Sequence, residues 1–382
     1  MTILIDIRPL MDSQYSGVSE YIFRLLNAFF KIDDKNRYIL LYNSFSNVRE
    51  PKFDFPNVKI VRKEIPNRIL NYPLLWLLHL PRFDKWVGEK IDVFFMPHIN
   101  YFSVSKGVKK VIAVHDLSFV IEPEFFSAWK NLWHFFIDVK TLVKRFDRVV
   151  VFAEHTKRDV SQLCNFPLEK ISVIHSGIDE SFIRYEENDA RLETVREKYN
   201  LRKNFILSLA TVEPRKNIEA LCIAFNELKK QDRFRDLQLV IAGGKGWKSA
   251  PIFSMLEHSP YKNDIKILDY VLEVERPTLY NLASVFAYPS FYEGFGFPPL
   301  EAMACGTPVV AAAASSLPET IGNAGILIDP YNPMSLTQGL QEILISPELA
   351  SSLSKAGLER AKDFNWDKAA TSYLKLFESM LG

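Results

Sequence analysis

Short β-branched apolar runs separated by helical patterns recur along this chain, and that rhythm restricts the fold more than any other feature. The runs at residues 3–7, 38–42, 58–61, 93–96, 111–114 and 148–152 are apolar almost throughout. Strands of a parallel sheet covered on both faces look like this, whereas half-exposed strands alternate. After the first run, Ile22, Leu25, Leu26 and Phe29 repeat at helical spacing. The rhythm restarts at residues 205–209 and continues through residues 237–242, 265–271 and 285–290. Alternating strands and helices predict an α/β fold of parallel, doubly wound sheets, with ligands beyond the C-terminal ends of the strands. A chain of 382 residues can supply two such domains, each with its own core.

Composition narrows the function classes. With 48% apolar and 24% charged residues the chain is globular, and a net charge of +1 gives no global field to attract nucleic acid. The three cysteines, Cys164, Cys222 and Cys305, form no C-x-x-C pair, which suits buried thiols in a reducing compartment. The start has no basic leader, and no run of eighteen apolar residues occurs. A cytoplasmic protein is expected, working at the inner face of the cell membrane if its acceptor is lipid-linked.

The stretch Glu293-Gly-Phe-Gly-Phe-Pro-Pro-Leu-Glu301 carries the chemistry. Gly294 and Gly296 leave the backbone uncovered, and Pro298-Pro299 opens a run of helix formers. Amides at a helix start carry partial positive charge, and glycine lets a phosphate or sugar come close. Sugar or ribose hydroxyls are suitable donors to the two carboxylates. A lone Gly-x-Gly is weak evidence, but two glutamates separated by seven residues and followed by Cys305-Gly-Thr-Pro-Val-Val form a far rarer string.

At these residues the chain resembles the retaining glycosyltransferases of family 4, whose E-x7-E signature is matched by Glu293 and Glu301. The resemblance runs from the first strand to the last helix. It implies the GT-B architecture: two Rossmann-like domains facing each other across a cleft. Residues 1–180 would form the acceptor-side domain, residues 181–365 the nucleotide-sugar domain, and residues 366–382 a helix crossing back. It implies transfer of a hexose from a nucleotide sugar, GDP-mannose being favoured by the Glu-Pro-Arg-Lys-Asn form at residues 213–217. The acceptor would be a cell-surface glycan or a lipid-linked oligosaccharide.

Site residues follow from the same resemblance. Lys216 and Arg215 would stabilise the departing diphosphate, since a guanidinium offers a fork and an ammonium a point charge. Family members carry an Arg five positions ahead of this Lys; here that position is Thr211, so the role passes to Arg215. Glu293 would bind the donor sugar, Glu301 the ribose hydroxyls, and backbone amides around Phe295 and Phe297 the phosphates. Tyr270 and Val271 would meet the base, and Gly243 with Gly244 would border the donor pocket. Gly17 reads either as open backbone at a helix start or as part of the family's glycine loop near donor or acceptor. His115 reads either as a satisfied core residue or as a ligand of the transferred sugar.

No metal or cofactor is expected, because the Asp-x-Asp pair of the other transferase architecture has no counterpart here. A retaining hydrolase would need its carboxylates about 5 Å apart across the scissile bond, and the neighbouring cations suit a diphosphate better. A nucleotide-sugar epimerase and a non-catalytic sugar-nucleotide binder stand as alternatives on the same fold. Two aromatic and basic stretches, residues 68–86 and 129–145, read either as helices packed on their own sheet or as membrane-interface segments.

Overall fold

The computed structural model describes all residues except 12–16, 46, 47, 49, 67, 68, 72–74, 76 and 77. The chain gathers into two compact units. One comprises Met1–Leu117, Leu132–Gly177 and Asn365–Gly382, and the other Ser118–Asn131 and Ile178–Phe364.

The first unit is built on a seven-stranded sheet: β1 (Thr2–Asp6), β2 (Arg37–Asn43), β3 (Val58–Lys63), β4 (Val93–Met96), β5 (Lys109–Ala113), β6 (Arg148–Val151) and β7 (Ile171–Val173). Their order is β3-β2-β1-β4-β5-β6-β7, and neighbouring strands pair in parallel. Ile3, Leu4, Ile5 and all four residues of β4 are buried, the burial that their unbroken apolar runs predict. The helix Gly17–Ile32 turns Tyr21, Ile22, Leu25, Leu26 and Phe29 inward. Against it lies the last helix, Trp366–Ser379, with Ala369, Ala370, Tyr373 and Phe377 buried. The Tyr21 and Tyr373 hydroxyls meet at 2.6 Å, and Phe29 meets Tyr373 edge-on at 5.9 Å.

The second unit carries six strands: β8 (Phe205–Leu209), β9 (Gln238–Ala242), β10 (Ile265–Leu268), β11 (Val285–Tyr288), β12 (Val309–Ala312) and β13 (Ile326–Ile328). Their order is β10-β9-β8-β11-β12-β13, again parallel. Leu221 and Phe225 of the helix Ile218–Lys229, and Leu336 and Leu340 of the helix Pro333–Ile345, close over β9, β11 and β12. The strand order reverses between β8 and β11. At such a switch point the loops leaving two adjacent strands diverge and open a crevice for a ligand.

Candidate active site

The crevice is furnished by those two loops. After β8 the chain passes Glu213 into the turn Pro214–Lys216, and Asn217 takes a left-handed φ of 54° before the next helix. The Asn217 side chain donates to the Pro289 carbonyl at 3.1 Å and the Pro330 carbonyl at 2.8 Å, fixing the turn to the loops after β11 and β13. The Phe291 amide donates to the Arg215 carbonyl at 2.9 Å. Residues 215 and 216 are thereby held against residues 288–293.

Lys216 Nζ donates to Glu293 Oε1 at 2.6 Å and to Tyr288 Oη at 2.8 Å. Arg215 Nη1 donates to the Tyr292 carbonyl at 2.9 Å and to Glu293 Oε2 at 3.2 Å. Its Nη2 lies 3.0 Å from Glu213 Oε1. The Glu293 backbone is pinned too: its amide donates to Ser315 Oγ at 2.7 Å, and Ser316 Oγ donates to its carbonyl at 2.8 Å.

Lys216 and Glu293 are only 8% and 7% exposed, so burial and charge compete. Burial pushes the Glu293 carboxyl up, but Lys216 and then Arg215 outweigh it and hold the group below the ordinary carboxylate range. Burial pushes the Lys216 ammonium down, helped by Arg215 and opposed by Glu293. Tyr288 is raised well above an ordinary phenol by burial and by Glu293, so it stays protonated. Two cations, Arg215 and Lys216, thus face two carboxylates, Glu213 and Glu293, in a balanced cluster. A pyrophosphate entering here would compete with carboxylates for the same donors.

Beside the cluster starts the helix Phe297–Ala304. Its N-cap, Gly296, has φ 100°, and a Cβ there would lie 2.8 Å from Leu317 Cδ2, so the position needs glycine. Pro298 and Pro299 remove two of the four amides that a helix start normally leaves open. Phe297 keeps its amide at that end, and the helix dipole adds to it. Gly243 ends β9 with φ 146°, and a Cβ there would come within 2.0 Å of the Ala210 carbonyl oxygen. That close approach continues as the Val212 amide donates to the Gly244 carbonyl at 3.0 Å. It ties the loops after β8 and β9 together.

Glu301, on the same helix, is 5% exposed. Arg276 Nη2 donates to Oε1 at 2.6 Å and to Oε2 at 2.7 Å, and the Tyr280 hydroxyl donates to Oε2 at 2.8 Å.

Two family models match in tandem: Glycosyltransferase Family 4 over residues 15–182 and Glycosyl transferases group 1 over residues 192–360. The chain belongs to the family 4 glycosyltransferases. It is similar to O-antigen chain mannosyltransferase B of Escherichia coli, with 29% identity over 306 residues, covering 79% of this chain and 78% of that one. Among solved structures it resembles sucrose-phosphate synthase of Thermosynechococcus elongatus, with a TM-score of 0.78, 19% identity and coverage of 99% and 98%. It also resembles Anabaena HepE in complex with UDP and glucose, with a TM-score of 0.72, 17% identity and coverage of 99% and 100%. The two parallel-sheet units are those of the GT-B fold. These relatives do not favour an epimerase or a non-catalytic binder.

In this family 4 glycosyltransferase the structure brings Arg215, Lys216 and Glu293 together. Gly294, Phe295, Gly296 and Phe297 lie on the adjoining loop and helix start. The Phe295 side chain is buried against Phe364, at 5.6 Å between ring centroids, so only its backbone can serve a ligand. Val271 is buried while Tyr270 is 71% exposed. Gly17 and His115 belong to the first unit. Nothing lies within 4 Å of a Cβ built on Gly17, so its place at the helix start does not itself demand glycine. His115 follows β5, where Nε2 donates to the Pro97 carbonyl at 2.9 Å and the ring stands edge-on to Tyr21 at 4.8 Å. Burial lowers its pKa, partly offset by the Pro97 hydrogen bond and by Asp116.

Glu213, Tyr288, Tyr280 and Arg276 also serve the site, although the residues alone do not single them out. Glu213 belongs to the Glu-Pro-Arg-Lys-Asn form at residues 213–217, where an acid two residues before an Arg-Lys pair is a usable signal, and Tyr288 lies in the apolar run 285–290. Arg276 carries no such signal. In the first unit another cluster stands at the β1/β4 switch point: Asp6 accepts from Arg8 at 2.6 Å, and His98 lies 3.6 Å away. Burial pushes His98 down to about 4 against the pull of Asp6.

Among the described residues no group of three or more His, Cys, Asp or Glu side chains converges as a metal site. No helix among the described residues is long and apolar enough to cross a membrane. Of the aromatic stretches, Arg68, Trp76 and Leu77 lie outside the described residues. The helix Ala128–Ile137 leaves Trp129 82% and Phe135 76% exposed, so those two rings are not packed on a sheet.

Proposed function

We propose that this glycosyltransferase moves mannose from GDP-mannose to a hydroxyl of a cell-surface glycan or lipid-linked acceptor, retaining the anomeric configuration and using no metal or cofactor. The bond from the anomeric carbon to the diphosphate breaks, the bond to the acceptor oxygen forms, and the acceptor proton leaves with the diphosphate. Lys216 and Arg215 stabilise the charge that develops on the leaving group, with the amides of Phe295 to Phe297 beside them. Glu301 binds the ribose hydroxyls and Glu293 the donor sugar. His115, neutral at pH 7 and with its Nε2 proton committed to Pro97, offers Nδ1 as an acceptor to a sugar hydroxyl.

The carrying observation is the buried Lys216–Glu293–Arg215 cluster at the β8/β11 switch point, next to a glycine-capped helix start. The similarity to an O-antigen mannosyltransferase supports mannose, and a fold shared with a UDP- and glucose-bound protein supports a nucleotide donor. Work at the inner face of the membrane follows from a lipid-linked acceptor, and the exposed rings of the helix Ala128–Ile137 would provide the contact.

A thermal-shift screen of GDP-mannose, UDP-glucose, UDP-galactose and dTDP-rhamnose tests the donor. A ligand at a hundredfold its Kd stabilises by about 2.7 kcal/mol, and GDP-mannose is expected to give the largest shift. Stabilisation by a UDP sugar alone removes the mannose assignment, and strict dependence of turnover on added magnesium after chelation removes metal independence.

A further inference from the structure

We infer that Arg276 is a positioning residue that, with Tyr280, holds the Glu301 carboxylate in the orientation that reads the two hydroxyls of a nucleotide's ribose. This rests on the assignment of ribose binding to Glu301. The Arg276 guanidinium bridges both Glu301 oxygens from one nitrogen, at 2.6 and 2.7 Å, while Tyr280 takes Oε2 at 2.8 Å. An ionised carboxylate offers about four acceptor directions, so these donors fix its plane without exhausting it.

The clamp is itself held. The Arg276 guanidinium carbon lies 5.4 Å from the centre of the Phe182 ring, and Phe182 meets Tyr280 edge-on at 5.9 Å. Tyr280 is fully buried, and Thr307 Oγ1 donates to its carbonyl at 2.6 Å.

Position along the chain gives the clamp a second consequence. Arg276 opens the helix Arg276–Leu282 directly after the turn Glu273–Glu275, and that turn follows Tyr270 and Val271, the residues assigned to the base. One continuous segment therefore meets the base and sets the group that meets the ribose. An arginine suits this role because its guanidinium stays charged and rests on an aromatic face, here Phe182, while one of its nitrogens serves both carboxylate oxygens.

The test is calorimetric titration of the full chain with GDP and with 2′,3′-dideoxy-GDP, and with UDP and its dideoxy counterpart in parallel. Wild type is expected to prefer the ribose form about tenfold or more, the value of hydrogen bonds to a charged group. In Arg276→Met and in Tyr280→Phe that ratio falls towards one, while binding of inorganic pyrophosphate is unchanged. An ion pair serving only to join two helices would lower the melting temperature and leave the ratio alone. An unchanged ratio in a folded Arg276→Met, or in Tyr280→Phe should the first not fold, overturns the inference. Equal binding of ribose and dideoxy forms by wild type overturns the Glu301 assignment and the inference with it. Failure of both nucleotides to bind wild type removes the nucleotide site itself.

Discussion

Replacing Lys216 with methionine isolates the charge balance at the β8/β11 crevice. The substitution keeps the length of the side chain and deletes the ammonium that sits 2.6 Å from Glu293 and 2.8 Å from the Tyr288 hydroxyl. Removing one partner of a buried ion pair costs about 3–5 kcal/mol. Arg215 stays 3.2 Å from the other carboxylate oxygen, so the loss should fall near the lower end, about 3 kcal/mol. For a unit of roughly two hundred residues that lowers the melting temperature by about 6–12 °C at pH 7.

The pH dependence carries the sharper test. Burial raises the Glu293 carboxyl, but Lys216 and Arg215 bring it below its ordinary 4.5. A depressed carboxylate contributes stability above its unfolded pKa and loses it as pH falls through the folded value. Without Lys216 the burial effect is less opposed, the folded pKa rises, and the contribution shrinks or reverses at neutral pH. The gap between wild type and variant should thus be widest near pH 7 and narrow towards pH 4. Lys216 itself is depressed by burial and by Arg215, opposed by Glu293. Charging it in the folded state costs the same at every pH where it stays protonated, so it changes the size of the gap and not its slope. Differential scanning calorimetry from pH 4 to pH 8 reads both quantities. A gap independent of pH, or no gap at pH 7, would refute the charge-balance argument. Turnover with the identified donor should also fall about 100- to 1,000-fold, the loss typical of one donor aimed at developing charge.

Two further outcomes are expected. Gly243→Ala forces a Cβ to within 2.0 Å of the Ala210 carbonyl oxygen at φ 146°; it should cost about 3 kcal/mol from strain and crowding and weaken donor binding, whereas Gly244→Ala, with nothing within 4 Å, should be nearly neutral by thermal melting. The double substitution Trp129→Glu and Phe135→Glu removes two rings that are 82% and 76% exposed; it should abolish flotation with vesicles containing anionic lipid while leaving the melting temperature unchanged, and equal flotation of wild type and variant would rule out this helix as the membrane contact.

Much of the fold could be read from the residues because its signals are local. Unbroken apolar runs announced strands covered on both faces, and β1, β4 and β9 are buried as that pattern demands. Helical spacing at Ile22, Leu25, Leu26 and Phe29 announced the inward face of the helix Gly17–Ile32. The string from Glu293 to Glu301 announced a glycine-capped helix start, since a cap and its first turn involve only neighbouring residues. Glu301 was legible as a carboxylate on that helix, but its clamp was not, because Arg276 stands 25 positions away in a segment with no distinctive pattern.

What the sequence settled by itself was therefore the alphabet of elements and the residue types at each strand end. What only the tertiary structure decided was which ends meet. Lys216 reaches Glu293 across 77 positions because β8 and β11 are neighbours, and Ser118–Asn131 joins the second unit although its flanking residues belong to the first. The physical reason is that hydrophobic periodicity specifies a buried face but not the partner that covers it. Strand order is selected by the packing of the whole sheet, and the balance of two cations against two buried carboxylates exists only once that order has brought them together.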